Sequence, residues 1–483
     1  MIRRLSSNPS LRSLSPDDAL QQFDRLLHLS PFPSDHRTYA FLLRLCSFLH
    51  PVHGLQLHAR LLKFGFHSHL VLQNSLLSFY SSAADIPSIR RVFAGIARPD
   101  VVSWTSFVSA LARAGRDVDA LAAFRSMDVL PNALTLVGVL PACARLGELR
   151  SGRAIHGFAR RGARNVILDN AILDFYMRCG DLLSARNLFG EMPLRDVVSW
   201  TTLISGCNEN RLPEEAISAF CAMLRDGISQ VQPNEATLVS VLRACTSLTA
   251  LSRGKSIHSY LIKSWVGVNV LTGNALINMY AKCGELAMAW RVFRGLTCRD
   301  SVSWSTMIAG FAMNSRAELA FRLFALMICH GLKPDSVTFL ALLTACCHAG
   351  LVDQGLTIFM SMSKIYRICP EKKHFTCMID TLGRAGRLKE AEEFFKSLPI
   401  EPDKHVVGAL LSAGKKHGCN QAESKLFYEK DFVSHLGVGG GTYALVSNIL
   451  ADAGRYEASY HVRDLMRTQK VKKTAGCSRI GVH

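Results

Sequence analysis

A small hydroxyl residue follows a Trp at Thr105, Thr201 and Ser305, in the phrases "DVVSWTSFVSA", "DVVSWTTLISG" and "DSVSWSTMIAG". The three Trp stand at 104, 200 and 304, in steps of 96 and then 104 residues. Three amides keep the same steps: Asn74, Asn170 and Asn274, within "LVLQNSLLSFY", "VILDNAILDFY" and "VLTGNALINMY". Ser, Thr and Asn side chains are short and both donate and accept hydrogen bonds. Repeated at fixed spacing, they suit one of two tasks. They cap helix N-termini, or they present a row of hydrogen-bonding groups to an extended ligand.

Catalytic chemistry has no comparable footing. A zinc deaminase needs His-x-Glu followed by Pro-Cys-x-x-Cys. None of the 17 His has Glu two residues later, and C-x-x-C is absent. A G-x-x-x-x-G-K-[ST] phosphate loop is absent as well. Cys346, Cys347 and His348 adjoin one another on a helical stretch, where free Cys usually serves as core. The reading is a non-enzyme with no metal and no cofactor. The 15 Cys of a long chain without a secretory signal read as reduced and mostly buried thiols.

The chain of 483 residues carries a formal net charge of +18, which favours a polyanionic partner, most simply nucleic acid. The alternative is a basic surface that serves solubility. No run of 18 apolar residues suggests a membrane span. The first sixteen residues, "MIRRLSSNPSLRSLSP", hold three Arg, five Ser and no acid, the composition of an organellar presequence.

These positions must be held by regular elements. "ALTLVGVLPAC" and "EATLVSVLRAC" add a third recurring phrase to the other two. A unit of about a hundred residues thus holds three different subunits of about 31–38 residues, a period that signals a solenoid. Each subunit reads as two helices. Trp200, Leu203, Ile204 and Cys207 form one apolar stripe, and Ala216, Ile217, Phe220, Met223 and Leu224 form the next. Pro213 suits the first turn of that second helix. A single hairpin cannot bury its stripe alone; stacked neighbours can.

The alternation resembles the plant pentatricopeptide repeat (PPR) proteins, in the class with alternating P, L and S repeats and its E subgroup. The resemblance is carried by "VVSWTTLISG", "LTGNALINMYAKCGELAMAWRVF", "GLKPDSVTFLALLTACCHAGLVDQG" and "MIDTLGRAGRLKEAEEFF". It covers nearly the whole chain from about residue 16. One departure is "SSAAD" in the repeat at Leu70, where later copies have "MRCGD" and "AKCGE". The resemblance implies an all-α fold, a right-handed α-solenoid of helix-turn-helix repeats. Residues 1–15 would be a transit peptide, 16–35 a partial repeat and 36–403 the tandem repeats. Residues 404–473 would be two E-type motifs, and 474–483 a tail with no DYW deaminase domain. Repeats would start at His36, Leu70, Val101, Ala133, Val166, Val197, Glu235, Val270, Ser301, Ser336 and Lys372.

The resemblance also implies a role for each position. The fifth residue of a repeat would meet the edge of one RNA base, and the last residue would assist it. The second residue would pack on base faces. Asn74 with Asp100, Asn170 with Asp196, and Asn274 with Asp300 would favour uridine. Thr105 with Asn132, and Thr201 with Asn234, would favour adenosine. Ser305 with Asp335, and Thr376 with Asp403, would favour guanosine. Val102, Val198 and Val302 would pack on bases. Val137, Val239 and Leu340 cannot hydrogen-bond and would read weakly. Lys and Arg along the array would neutralise phosphate in a salt-dependent way. The implied function is a monomeric adaptor binding single-stranded organellar RNA, in mitochondrion or alternatively chloroplast. It would select a site for cytidine-to-uridine editing, with a trans-acting deaminase or other editing factors recruited through 404–473. Two other readings stay open: an RNA stability, splicing or translation factor, and a tetratricopeptide-like protein scaffold.

Overall fold

A computed structural model describes residues 36–49, 51–161, 165–226, 231–264 and 266–396, and towards the C-terminus 409, 443–444, 447–448, 451 and 456–468. Among these residues there are twenty-three α-helices and no strand. Contacts divide the chain into two compact units, Met1–Val241 and Leu242–His483.

In the first unit, helices follow one another as hairpins: α1 (His36–Leu49) and α2 (Pro51–Lys63), α3 (Leu70–Ser82) and α4 (Ile86–Ala94), α5 (Val101–Arg113) and α6 (Asp117–Arg125). They continue with α7 (Ala133–Leu146) and α8 (Leu149–Ala159), α9 (Val166–Arg178) and α10 (Leu182–Glu191), α11 (Val197–Glu209) and α12 (Pro213–Arg225). The unit boundary falls inside α13 (Glu235–Ser247), which is followed by α14 (Leu251–Lys263). The second unit goes on with α15 (Val270–Lys282) and α16 (Leu286–Gly295), α17 (Ser301–Met313) and α18 (Ala317–Cys329), α19 (Ser336–Ala349) and α20 (Val352–Lys364), α21 (Lys372–Arg384) and α22 (Leu388–Lys396). A further helix, α23 (Tyr456–Thr468), lies near the C-terminus.

Within each unit the first helix of a hairpin packs on its own second helix and on the first helix of the next hairpin. Each unit is therefore an α-solenoid. The apolar stripe that one hairpin leaves open is covered by the next. The Trp residues belong to this core. Trp104, Trp200 and Trp304 are buried and meet Phe93, Phe189 and Phe293 edge-on, with ring centroids 4.7, 4.8 and 5.2 Å apart.

Two local devices set the hairpin. The first helix starts at an Asp or Asn whose side-chain oxygen accepts from a backbone N–H one turn on, satisfying an orphan donor. Asp100, Asn132, Asp196, Asp300 and Asp335 do this for α5, α7, α11, α17 and α19. The first helix ends in a left-handed residue that reverses the chain, Gly180 at φ 74° and Gly284 at φ 82°. In the "SSAAD" copy the same turn falls on Ala84, at φ 54°.

Hairpins are also keyed to their neighbours. Asn210 Nδ2 donates to the Met177 carbonyl at 2.7 Å, and Asn314 Nδ2 to the Ala281 carbonyl at 2.8 Å, so one first helix satisfies the open end of the preceding one. Gly54, Gly152 and Gly254, on α2, α8 and α14, receive Phe79, Phe175 and Met279 from the next hairpin. A Cβ at those glycines would lie 2.1, 2.0 and 2.5 Å from the incoming side chains. Beside each glycine a His reaches a Tyr hydroxyl of the next hairpin: His58 to Tyr80 at 2.6 Å, His156 to Tyr176 at 3.0 Å and His258 to Tyr280 at 2.9 Å.

Candidate functional site

The fifth residue of a first helix sits one turn in, where its side chain can meet the last residue of the same hairpin. The fold brings the three Asn–Asp pairs together. Asn74 Nδ2 donates to Asp100 Oδ1 at 3.2 Å, Asn170 Nδ2 to Asp196 Oδ1 at 3.1 Å, and Asn274 Nδ2 to Asp300 Oδ1 at 3.3 Å. None of the three Asn is an N-cap; that task belongs to the paired Asp and is done with the same oxygen. Burial opposes charge on Asp100, Asp196 and Asp300. Hydrogen bonds from the N–H groups of Ser103, Ser199 and Ser303, and from the Asn amides, outweigh it and hold these carboxyls below the usual Asp value. The carboxylates therefore stay ionised at neutral pH and act only as acceptors.

The Thr105–Asn132 and Thr201–Asn234 pairs meet through an intermediary. Thr105 Oγ1 lies 2.6 Å from Thr135 Oγ1, which donates to Asn132 Oδ1 at 3.0 Å. Thr201 repeats this with Thr237 at 2.6 Å and on to Asn234 at 2.9 Å. Thr105 and Thr201 do not cap helices; they back-bond to the Val101 and Val197 carbonyls at 2.6 and 2.7 Å. The Ser305–Asp335 and Thr376–Asp403 pairs differ. Ser305 is 3% exposed and its hydroxyl donates to the Val302 carbonyl at 3.1 Å, while Asp335 is taken up with Thr338. Sequence spacing gave no sign of that burial, because it depends on the side chains behind α17. Thr376 back-bonds to the Lys372 carbonyl at 2.9 Å. Its partner Asp403 lies outside the described residues.

Val102, Val198 and Val302 are 49%, 51% and 52% exposed, next to these pairs. The structure extends the row. Val71, Leu134, Ile167, Leu271 and Val337 hold the same second position and are likewise exposed. An exposed large apolar side chain recurring at one register is the informative kind. The signal was present in the sequence, as an apolar second residue in most first turns; α21 has Lys373 there instead.

Many cations are committed elsewhere. Arg90 pairs with Asp119 at 2.6 Å, Arg145 with Asp117 at 2.6 Å and Arg153 with Asp181 at 2.8 Å, each linking neighbouring hairpins. Arg160 and Arg186 pair with Glu191 and Glu215. Arg195 and Arg299 lie over the Phe189 and Phe293 rings at 4.9 and 5.2 Å and donate to the carbonyl ends of α10 and α16. Phosphate neutralisation would thus fall to other Lys and Arg.

Cys346 and Cys347 are buried on α19. The Cys347 thiol donates to Asp380 Oδ2 at 3.2 Å, and His348 Nδ1 donates to the Ala312 carbonyl at 3.1 Å. Among the described residues no cluster of three or more His, Cys, Asp or Glu could hold a metal. No helix there is long and apolar enough to cross a membrane.

Comparison with known proteins identifies the repeats. A PPR repeat model matches residues 102–130, 170–197, 198–228, 274–300 and 373–399, a PPR repeat family model matches 299–364, and an E motif model matches 439–481. The Arabidopsis thaliana pentatricopeptide repeat-containing protein At4g38010 is 37% identical over 430 residues, spanning 88% of this chain and 76% of its own. The putative pentatricopeptide repeat-containing protein At3g11460, mitochondrial, also of Arabidopsis thaliana, is 34% identical and covers 92% of this chain and 72% of its own. The crystal structure of the pentatricopeptide repeat protein PPR10 from maize superposes with a TM-score of 0.58 over 95% of this chain and 72% of that one, at 18% identity, a likeness of fold.

Proposed function

The chain belongs to the pentatricopeptide repeat proteins, and from that premise we propose that it is a sequence-specific adaptor for single-stranded organellar RNA. One observation carries the reading. At five first helices, α3, α5, α9, α11 and α15, a polar pair, joined directly or through one hydroxyl, stands beside an exposed apolar side chain. A base needs both: hydrogen-bonding groups for its edge and an apolar surface for its face. From the Leu70 repeat onward, with the N-terminus toward the RNA 5′ end, the preferred string is U-A-n-U-A-n-U-G-n-G, where n marks weak readers. The two G positions are the ones with least structural support, given the buried Ser305.

The finer role is selection of a site for cytidine-to-uridine editing. The match to an E motif at 439–481 supports this, as does α23 within it, where Tyr456 and Tyr460 are exposed one turn apart. On this reading the deaminase is a separate protein docking through residues 404–473, and the edited cytidine lies four nucleotides 3′ of the final G. Residues 1–15 direct the chain to an organelle. Relatives named for the mitochondrion and for the chloroplast are about equally similar, and the Arg-rich start favours the mitochondrion.

The test exchanges one pair for another. Thr201→Asn with Asn234→Asp should move the preference at the fifth position of the string from A to U and leave other positions alone. A wrong base at a read position should cost about 1–3 kcal/mol, on the scale of good base-edge contacts. An unchanged preference, or equal weakening for every sequence, would reduce these pairs to helix caps.

A further inference from the structure

From α3 to α21 the third residue of each first helix is buried, and in seven of these ten helices it is Ser or Thr. Ser103, Thr135, Ser199 and Thr237 are 0% exposed. In these four hairpins the hydroxyl touches the fifth residue of the preceding hairpin as well as that hairpin's last residue. Ser103 Oγ lies 2.7 Å from Asn74 Oδ1 and 2.8 Å from Asp100 Oδ1. Ser199 Oγ lies 2.6 Å from Asn170 Oδ1 and 2.9 Å from Asp196 Oδ1. Capping accounts for only part of this. The backbone N–H of Ser199 already serves Asp196 at 2.8 Å, and its hydroxyl oxygen accepts from Asp196 N at 3.2 Å. The hydroxyl has one proton to give, and the shorter contact is to Asn170.

We infer that Ser103 and Ser199 are positioning residues for base choice, each locking the amide of the preceding Asn in one of its two orientations; this rests on the RNA-reading function proposed above. Asn170 Oδ1 takes the serine proton, and Nδ2 gives one proton to Asp196. One N–H and one lone pair of Asn170 are then unused, in fixed order, on a side chain 7% exposed. Uracil and cytosine present opposite orders at adjacent edge atoms: carbonyl acceptor then N3–H donor in uracil, amino donor then N3 acceptor in cytosine. An amide free to turn by half a rotation about Cβ–Cγ would suit either base. Turning it would set Oδ1 against the Asp196 carboxylate and take the acceptor away from the serine proton, so the buried hydroxyl adds to the exclusion of cytosine without touching it.

The protein contains its own comparison. At the third copy Ser303 Oγ lies 2.8 Å from Asp300, while Asn274 Oδ1 is buried and has no hydrogen-bond partner among the described residues. The Asn274 amide is held at one end only. Uracil should therefore be preferred over cytosine more strongly at the first and fourth positions of the string than at the seventh.

The experiment measures Kd of the full chain for RNAs carrying each of the four bases at the first, fourth or seventh position. In Ser199→Ala the U-to-C preference at the fourth position should fall about tenfold, and the ratio at the first should stay. Ser199→Thr keeps the hydroxyl and should restore the ratio, as Thr holds this register in other hairpins. Equal weakening for all four bases in Ser199→Ala, with the ratio unchanged, would make the hydroxyl merely structural and overturn the inference. If that variant does not fold, equal U-to-C ratios at the fourth and seventh positions of the unaltered protein overturn it instead. An unaltered protein without base preference at any position would remove the RNA-reading function and this inference together. A preference that survives in Ser199→Ala removes the positioning role alone.

Discussion

At Asp196 one carboxylate oxygen accepts from Ser199 N at 2.8 Å and from Asn170 Nδ2 at 3.1 Å, so the atom that starts a helix also holds a reading side chain. Asp196→Ala should lose about 1 kcal/mol as a missing N-cap, and the base preference at the fourth position as well. Asp196→Asn retains the cap and should lose mainly the preference. Urea midpoints beside RNA affinities separate the two effects. Histidines at the hairpin junctions make a pH prediction. Burial lowers the pKa of His58, with Arg91 adding to it, and burial alone lowers that of His258. The unfolded chain then binds more protons than the folded one once pH drops through about 6.5, so stability should decline from there towards the folded values. Urea midpoints at pH 8, 7, 6 and 5 should show this slope, and His58→Gln with His258→Gln should flatten it. At this scale the fixed steps made Asn74, Asn170 and Asn274 legible in the sequence, and the family resemblance pointed to their Asp partners. Ser103 and Ser199 were not, because a polar third residue looks like half of a capping box. The contact with a side chain 29 residues earlier appears only when hairpins stack.

At the scale of helices and turns, the first helices begin at Val101, Val197, Ser301 and their counterparts because Asp or Asn caps and apolar stripes recur with the period. That much could be read from the sequence without a structure. The fit between hairpins could not, since it depends on which side chain arrives opposite which glycine. Gly152 and Gly157 both lie on α8, and the sequence alone gives them equal standing. A Cβ added at Gly157 would meet nothing within 4 Å, whereas one at Gly152 would stand 2.0 Å from the Phe175 ring. Gly157→Ala should therefore stabilise by up to about 1 kcal/mol through helix propensity. Gly152→Ala should destabilise by about 1–3 kcal/mol through overpacking. Thermal unfolding of the two variants in parallel checks both signs. Ala84 works in the opposite direction. It holds a left-handed turn that costs an L-residue about 1–2 kcal/mol, so Ala84→Gly should raise the unfolding midpoint.

For the molecule as a whole, charge is the property that composition announced and structure redistributed. The formal +18 counts every Lys and Arg alike, but several Arg are tied to acids of a neighbouring hairpin or to helix ends. RNA affinity should fall linearly with salt on logarithmic axes, with a slope of about −0.7 per phosphate neutralised on a single strand. Arg195→Gln, which removes a helix-end contact, should lower stability and leave that slope unchanged. The glycine sockets for Phe79, Phe175 and Met279, each with a His–Tyr bond beside it, recur once in every three hairpins. Such a joint accepts one kind of successor. In descent, a lineage of these genes could gain or lose coding sequence in blocks of three hairpins with every joint still matched, while a single hairpin inserted or dropped would leave a socket facing the wrong side chain. The length of the RNA word would then grow by triplets, and an engineer lengthening it should splice whole triplets.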